Sequence, residues 1–453
     1  MSTINDVLPN ELLVEIFTHY ILPAAVRIGT NARIQRGPLL LCRVCHRWRA
    51  VCLAAPQFWT TLVAAPGGED GREDRFIELL ESWLTRAGEL PIELVLKLPR
   101  PTSSLSRRIL STALRCPGQL RRLQLPLYPL FSLNRPLPFS RLEDLTIHGN
   151  GIVPDDSDAL VCFSEASSLR RVSLTKVPLL DITLPWHQLT ELALAKVHIF
   201  TLFTVVLEYT PLLRRLEVGE TYGPLSFYLR SERATLKHLF ILRLGETPEI
   251  GALIMQSILP ALYSLELFGV YLNNATISEL CVCASHSQWS HLRVLRLHRV
   301  AIRDRDLFKL LRYEGLHGLE YLEISDAVDQ EMYYVYSLLR ELVEEGYDTP
   351  IVPALRGLTI DRFPVEIDVG MIQRVLEARA RPGPNARWVR LEAFRLFYAQ
   401  SRTTARKAKI DVGKQLFALR PFIDEGVKVQ IELGYRSGSR FHEGLDMLGL
   451  PAE

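Results

Sequence analysis

The feature that most limits how this chain can fold is a spacing, Leu-x-x-Leu-x-Leu, that returns ten times in one direction along the sequence. It stands at Leu120/Leu123/Leu125, Leu142/Leu145/Ile147, Leu169/Val172/Leu174, Leu189/Leu192/Leu194 and Leu213/Leu216/Val218. It continues at Leu236/Leu239/Ile241, Leu262/Leu265/Leu267, Leu292/Leu295/Leu297, Leu319/Leu322/Ile324 and Leu355/Leu358/Ile360. The last two apolar positions of each triplet alternate as they do in a strand with one buried face. Units that recur at roughly 20 to 36 residues cannot enclose a core alone, so each must bury its leucines against neighbours in a stack. The pattern predicts an α/β array with one short parallel strand per unit and a return segment. Helical spacing marks returns at Leu202 to Tyr209, Ile250 to Ile258, Ala275 to Ala284, Asp304 to Tyr313 and Gln330 to Glu345.

This spacing resembles the strand signature of the leucine-rich repeat. The resemblance implies a solenoid shaped as a horseshoe. An irregular one is expected, because the asparagine or cysteine that closes the motif in regular repeats is missing from most units. Upstream, Phe76, Leu79, Leu80, Trp83 and Leu84 share one helical side, and Ile92, Leu94, Leu96 and Leu98 alternate as a first strand. After Ile360 the period weakens: Val369 to Ala380 reads as a helix, Arg381-Pro382-Gly383-Pro384 as a break and Trp388 to Phe397 as a strand. Val427, Val429, Ile431 and Leu433 then alternate as a last strand before a Gly/Ser-rich tail. An atypical terminal unit is expected as a cap, since its outer face meets water.

The first sixty residues follow a different rule. Leu8-Pro9-Asn10-Glu11-Leu12-Leu13-Val14-Glu15-Ile16-Phe17 places most of its apolar residues on one helical face, with proline in the first turn and an acid near the positive end of the dipole. A second helix is expected over Leu41-Cys42-Arg43-Val44-Cys45-His46-Arg47-Trp48, with Val51 and Cys52 on its apolar side, ending before Pro56-Gln57-Phe58-Trp59. Two short helices cannot bury that much apolar surface against each other. These motifs resemble the F-box, the helical module that plugs into the Skp-type adaptor of SCF (cullin–RING) ubiquitin ligases, in the form found in mushroom-forming (basidiomycete) fungi. The resemblance implies that Leu8, Pro9, Leu12, Leu13, Ile16, Phe17, Leu41, Val44, Trp48 and Trp59 bind the adaptor or support its binding. The stretch Thr18 to Leu40 is longer than a compact F-box, and Gly29 to Gly37 is expected to bulge out as a surface loop.

These readings divide the chain into an F-box-like helical module at 1–63, a linker and bridging helix at 64–90, a leucine-rich-repeat solenoid with its cap at 91–440, and a tail at 441–453. Composition narrows the function. With 53 basic and 51 acidic side chains and a net charge of +2, the chain has no global field to gather nucleic acid or acidic membrane. The amino terminus carries no basic residue before Arg27, and no apolar run reaches the length of a membrane helix. Seven scattered cysteines fit a reducing compartment, so a cytoplasmic or nuclear place is expected.

No catalytic constellation stands out. Gly-rich phosphate loops are missing, and Gly434-Tyr435-Arg436-Ser437-Gly438 has the wrong spacing for a nucleophile elbow. Cys42-Arg43-Val44-Cys45-His46 matches the letters of c-type haem attachment but falls inside the second expected helix, with Cys45 as a small buried hydrophobe. Cys281, Cys283, His286 and His291 follow no zinc-finger spacing. No enzyme activity, metal or cofactor is therefore expected.

Partner contact is expected on the strand face between the motif leucines: Arg122, Asp144, His148, Arg171, Glu191, Arg215, Glu217, His238, Arg296, His298, Tyr321 and Glu323. Arg171, Arg215, Arg296 and Tyr321 are the first candidates, since guanidinium groups grip carboxylate or phosphate and aromatics add contact area. Basic clusters at Arg379, Arg381, Arg387 and Arg390, and at Arg402, Arg406, Lys407, Lys409 and Lys414, are read as solubilising surface. The resemblance as a whole implies a non-catalytic substrate receptor that joins a protein target to a cullin–RING ligase. An interaction scaffold that sends nothing to degradation is the alternative, and a haem or metal protein built on Cys42, Cys45 and His46 is the third.

Overall fold

In the computed structural model the principal strands within each of two parts of the chain run parallel to their predecessors, as stacking of one strand per repeat demands. The structure describes residues 8–21, 26–28, 37–66, 73–98, 103–133, 135–149, 159–223, 233–247, 250–325, 333–344, 350–363, 369–383, 386–399 and 417–434. The expected tail at 441–453, the second basic cluster from Arg402 to Lys414 and most of the expected bulge at Gly29 to Gly37 lie outside the described residues. The chain forms two units, 1–210 and 211–453.

Among its described residues the first unit opens with the helices α1 (Asn10–Ile21), α2 (Pro38–Leu41) and α3 (His46–Ala54) and a 3-10 turn at Pro56–Trp59. Its parallel sheet follows chain order: β1 (Val26–Ile28), β2 (Thr61–Ala64), β3 (Ile92–Leu96), β4 (Leu120–Pro126), β5 (Asp144–His148), β6 (Arg171–Thr175) and β7 (Glu191–Ala195). Helix α4 (Glu73–Arg86) lies between β2 and β3, and α5 (Ser104–Ala113) lies between β3 and β4. Register carries the burial: Leu94, Leu123, Leu145, Val172 and Leu192 sit opposite one another across five strands, all buried. The same alignment holds for Leu125, Ile147, Leu174 and Leu194.

The second unit repeats the plan with β8 (Arg215–Val218), β9 (Ile241–Gly245), β10 (Ser264–Phe268), β11 (Val294–His298), β12 (Tyr321–Ser325), β13 (Gly357–Phe363), β14 (Ala393–Ala399) and β15 (Lys428–Gly434). Its return helices are α6 (Ile250–Met255), α7 (Asn274–Ser287), α8 (Asp304–Leu311), α9 (Tyr333–Glu341), α10 (Val369–Ala380) and α11 (Arg420–Asp424). Asn273 caps α7 by accepting the Thr276 N–H at 3.0 Å, which sets where that return starts.

Three expectations change. The triplet Leu236/Leu239/Ile241 is out of step. The structure pairs Leu242 with Leu216 and Leu265, and Leu244 with Val218 and Leu267, so the working triplet is Leu239/Leu242/Leu244. Two overlapping patterns share Leu239, and the sheet takes the one whose last two leucines both reach the core, leaving Ile241 half-buried. Beyond Ile360 the period does not fade. Phe394 and Leu396 take the places of Leu358 and Ile360, and Val429 and Ile431 follow in register. The stretch Thr18 to Leu40, in which no strand was expected, contributes β1 just before the expected bulge, with Ile28 buried against the sheet.

Strand exits share a backbone turn. Lys176, Lys196, Glu246 and Arg299 each directly follow a principal strand and have φ of 55°, 56°, 47° and 52°. Three of these N–H groups donate to the next strand's last carbonyl, Lys176 to Ala195 and Arg299 to Ser325 at 2.8 Å and Glu246 to Phe268 at 3.0 Å. The turn then drives the following residue, Val177, Val197, Thr247 or Val300, into the core. A left-handed L-residue costs about 1–2 kcal/mol, which the continued ladder and the buried next residue offset. Arg299 is exposed, so Arg299→Gly is expected to leave stability unchanged or raise it by up to about 1 kcal/mol, net of glycine's greater unfolded-state freedom. Arg299→Val is expected to lower it by at least about 1 kcal/mol, because a β-branched side chain fits this conformation worst. Urea unfolding of the two variants measures both.

Candidate functional site

Helix α1 carries two apolar stripes. Leu13, Phe17 and Ile21 are buried, with Phe17 packed on Trp48 at a ring-centroid distance of 4.7 Å and on Phe58 at 6.3 Å. Leu12 and Ile16, four residues apart on the other side, are 45% and 51% exposed, and Tyr20 continues the line. These side chains leave an i, i+4 apolar stripe of α1 in contact with water. Arg47 ties the start of α1 to α3, donating to the Asn10 Oδ1 at 3.0 Å and to the Leu8 carbonyl oxygen. Beside it lies a groove of about 360 Å³ lined by Asn10, Val14, Arg47, Ala50, Val51, Ala54 and Ala55.

The second expected helix is in fact two. Helix α2 ends at Leu41, residues 42–44 turn, and Cys45, in extended conformation, caps α3 by accepting the Trp48 N–H on its Sγ at 3.4 Å. Cys45 is therefore a half-buried cap and not a buried hydrophobe, and Cys42, Cys45 and His46 do not share a helix. The break puts Val44 on the turn, 54% exposed. Cys52 is buried beside Cys42, and burial pushes its thiol up to about 12, so it stays protonated.

Of the ten residues tied to docking, Leu12, Ile16, Val44 and Pro9 are exposed and Leu8 and Trp48 half-buried. Leu13, Phe17, Leu41 and Trp59 are buried. Trp59 meets Trp83 of α4 edge-on at 4.7 Å, donates its Nε1–H to the Cys52 carbonyl at 3.0 Å, and lies under the Arg86 guanidinium at 4.9 Å.

The strand faces hold a second kind of surface. In the first unit Glu93, Arg122, Asp144, Arg171 and Glu191 are cross-strand neighbours, a row of alternating sign. Arg122 reaches Glu93 and Asp144 at 3.2 Å each, and Arg171 reaches Asp144 at 3.3 Å. In the second unit Glu217, Arg243, Glu266, Arg296 and Glu323 alternate in the same way. Arg243 lies 3.3 Å from Glu217 and 3.8 Å from Glu266, and Arg296 lies 2.5 Å from Glu266 and 3.1 Å from Glu323. The second row is the drier one: Arg296 is 7% exposed. Burial alone would lower its guanidinium, but Glu266 and Glu323 outweigh burial and leave it raised. Burial raises the Glu323 carboxyl, and one arginine shared with Glu266 offsets this only in part.

Of the three residues expected to touch a partner that fall in the second unit, Arg296 and Tyr321 stand on adjacent strands within electrostatic reach of each other, and Arg215 lies apart from them. Arg171 belongs to the first unit and already pairs with Asp144. Arg296 is committed to two glutamates. Tyr321 is 3% exposed, with its hydroxyl 2.6 Å from the Thr359 Oγ1 and its phenol pushed up to about 12 by burial and by Glu323. Its ring fills the space over Gly357, where a Cβ would come within 2.7 Å. Arg215 shares a row with Tyr321 but lies four strands away, about 19 Å at the usual strand spacing. Next to Tyr321 a groove of about 270 Å³ is walled by Tyr263, Arg293, Glu320, Arg356 and Glu392, and Arg293 pairs with Glu320 at 3.0 Å.

Sequence reading missed Arg243 and Glu266. Shifting the sixth triplet by three residues would have exposed the signal, because the last x of successive motifs, between the second and third leucines, then reads Glu, Arg, Glu, Arg, Glu. Within the first basic cluster Arg379 is buried, donating to the Leu342 and Ile351 carbonyls at 3.0 Å each, and Arg381 pairs with Glu425. Among the described residues, no group of three or more His, Cys, Asp or Glu side chains is placed to hold a metal ion. No described helix is long and apolar enough to cross a membrane.

Removing one partner from a buried ion row strands the others. Arg296→Met is expected to lower unfolding free energy by about 3 kcal/mol, and replacing Glu266, Arg296 and Glu323 together by leucine or methionine to restore most of it. Chemical denaturation of both variants checks this; a loss below about 1 kcal/mol for the single change would mean that the row is solvated.

No protein-family model matches the chain, and no curated protein matches it significantly.

Proposed function

We propose that this chain is a non-catalytic substrate receptor of an SCF-type ubiquitin ligase, with the helices α1 to α3 as an F-box and the parallel-strand array as leucine-rich repeats that hold a protein target. The observation that carries the reading is the uncovered stripe of α1. Leu12 and Ile16, from the Leu-Pro-x-Glu-Leu-Leu-x-x-Ile-Phe segment, stay in water while Leu13 and Phe17 of the same segment fill the core. A helix that served only as a cap would have no use for large apolar side chains on its outer side.

The division of labour follows from burial. Leu8, Pro9, Leu12, Ile16 and Val44 meet the Skp-type adaptor, while Leu13, Phe17, Leu41, Trp48 and Trp59 hold those residues in place. Ubiquitin transfer belongs to the partner subunits. The chain's own contribution is proximity, which raises the effective concentration of target lysines near the conjugating enzyme without new chemistry. Work in the cytoplasm or nucleus fits this role.

The charge rows bear on target choice. Arginines already neutralised by neighbouring glutamates offer little to a phosphate group, so the strand face suits a target read by shape and neutral polar contacts.

Leu12→Asp and Ile16→Asp place a charge in the centre of the proposed interface and are expected to weaken capture of a recombinant Skp-type adaptor by more than tenfold. Both positions are exposed, so thermal unfolding should be unchanged. Failure of the intact protein to capture the adaptor, or equal capture by the variants, would falsify the docking reading.

A further inference from the structure

The segment between α1 and α2 is where the amino-terminal helices depart from a compact pair, and it is also where the sheet begins. Val26, Arg27 and Ile28 of β1 pair in parallel with Leu62, Val63 and Ala64 of β2. The Ala65 N–H donates to the Ile28 carbonyl at 2.9 Å, and Ile28 is 2% exposed. Strand β2 in turn pairs with β3, so β1 is the edge of the same sheet that carries the array of the first unit.

Parallel neighbours cannot be joined by a tight turn; the chain must cross over, usually through a helix. Here the crossover from β1 to β2 passes through α2, α3 and the 3-10 turn at Pro56–Trp59. The second half of the docking module is thus the crossover of the first parallel pair. The entry into β2 at Thr61 and the contact of Trp59 with Trp83 and Arg86 lie two residues apart in the chain, so together they form one point of attachment about which the module could swing. Strand β1 supplies a second point, and two points fix a direction.

We propose that β1 fixes the orientation of the docking helices relative to β2–β7, so that the exposed stripe of α1 is presented along one direction set by the fold. Its consequence for a ligase rests on the adaptor-docking reading, whereas the geometry does not. Within the first unit, the separation between adaptor and strand face is then set by packing and not by the search of a flexible linker.

The test uses the full chain with spin labels introduced as unnatural amino acids at the exposed Glu15 of α1 and the exposed Ser111 of α5, with and without a recombinant Skp-type adaptor. Pulsed dipolar spectroscopy should give one narrow distance distribution for the unchanged chain. Ile28→Asp puts a charge where β1 meets the core and is expected to at least double the width of that distribution, while the adaptor Kd stays within about twofold. An unchanged width overturns the proposal. If Ile28→Asp fails to fold, Ile28→Ala shortens the same anchor; its distribution must still widen, and an unchanged width overturns the proposal equally. Should the unchanged chain capture no adaptor, the docking reading falls, and the comparison of widths without adaptor still decides the role of β1.

Discussion

A parallel strand satisfies none of its backbone hydrogen bonds by itself, and it cannot turn back to pair with the strand that follows it directly. Everything else in this protein answers that constraint. Each unit lends its carbonyls to the next, as Tyr263 accepts from Arg293 and Arg293 from Glu320, and the leucines align because the ladder allows one register. A slip of one residue would turn Leu265 and Leu267 outward and bring Glu266 into the core. Burial and hydrogen bonding therefore select the same register.

The amino-terminal helices obey the constraint as well. Because β1 and β2 pair in parallel, α2 and α3 must bridge them, and the sheet begins inside the helical module. The Trp59–Trp83 contact then joins that module to the first helix of the array side. What reads along the chain as a module followed by a linker is, in the first unit, a continuous stack.

Much of this was legible before the structure. Triplets such as Leu142/Leu145/Ile147 and Leu292/Leu295/Leu297 gave strands in the expected places, because a leucine spacing reports burial directly. The Leu236/Leu239/Ile241 triplet misled because two overlapping patterns share a leucine, and only the neighbouring strands decide between them. Three residues at Val26 to Ile28 are too few to show a period, so β1 was invisible. Val44 and Cys45 illustrate a third limit: helical spacing holds across a short turn, and only the extended backbone at Cys45 separates α2 from α3. Candidate contact residues fared worst. Arg296 and Tyr321 carry the right chemistry, but a sequence says nothing of which groups stand beside them. The groups beside them, Glu266 and Glu323 for Arg296 and Thr359 for Tyr321, come from other strands.

The charge row of the second unit has a further consequence, for how such an array can change length. Glu217, Arg243, Glu266, Arg296 and Glu323 alternate one per unit. Loss of the single unit bearing Arg243 would set Glu217 directly opposite Glu266, and loss of the one bearing Arg296 would do the same to Glu266 and Glu323. Like charges facing each other across adjacent strands repel, the more so where water is scarce. The row thus imposes a parity rule: in this stretch units are gained or lost most easily in pairs.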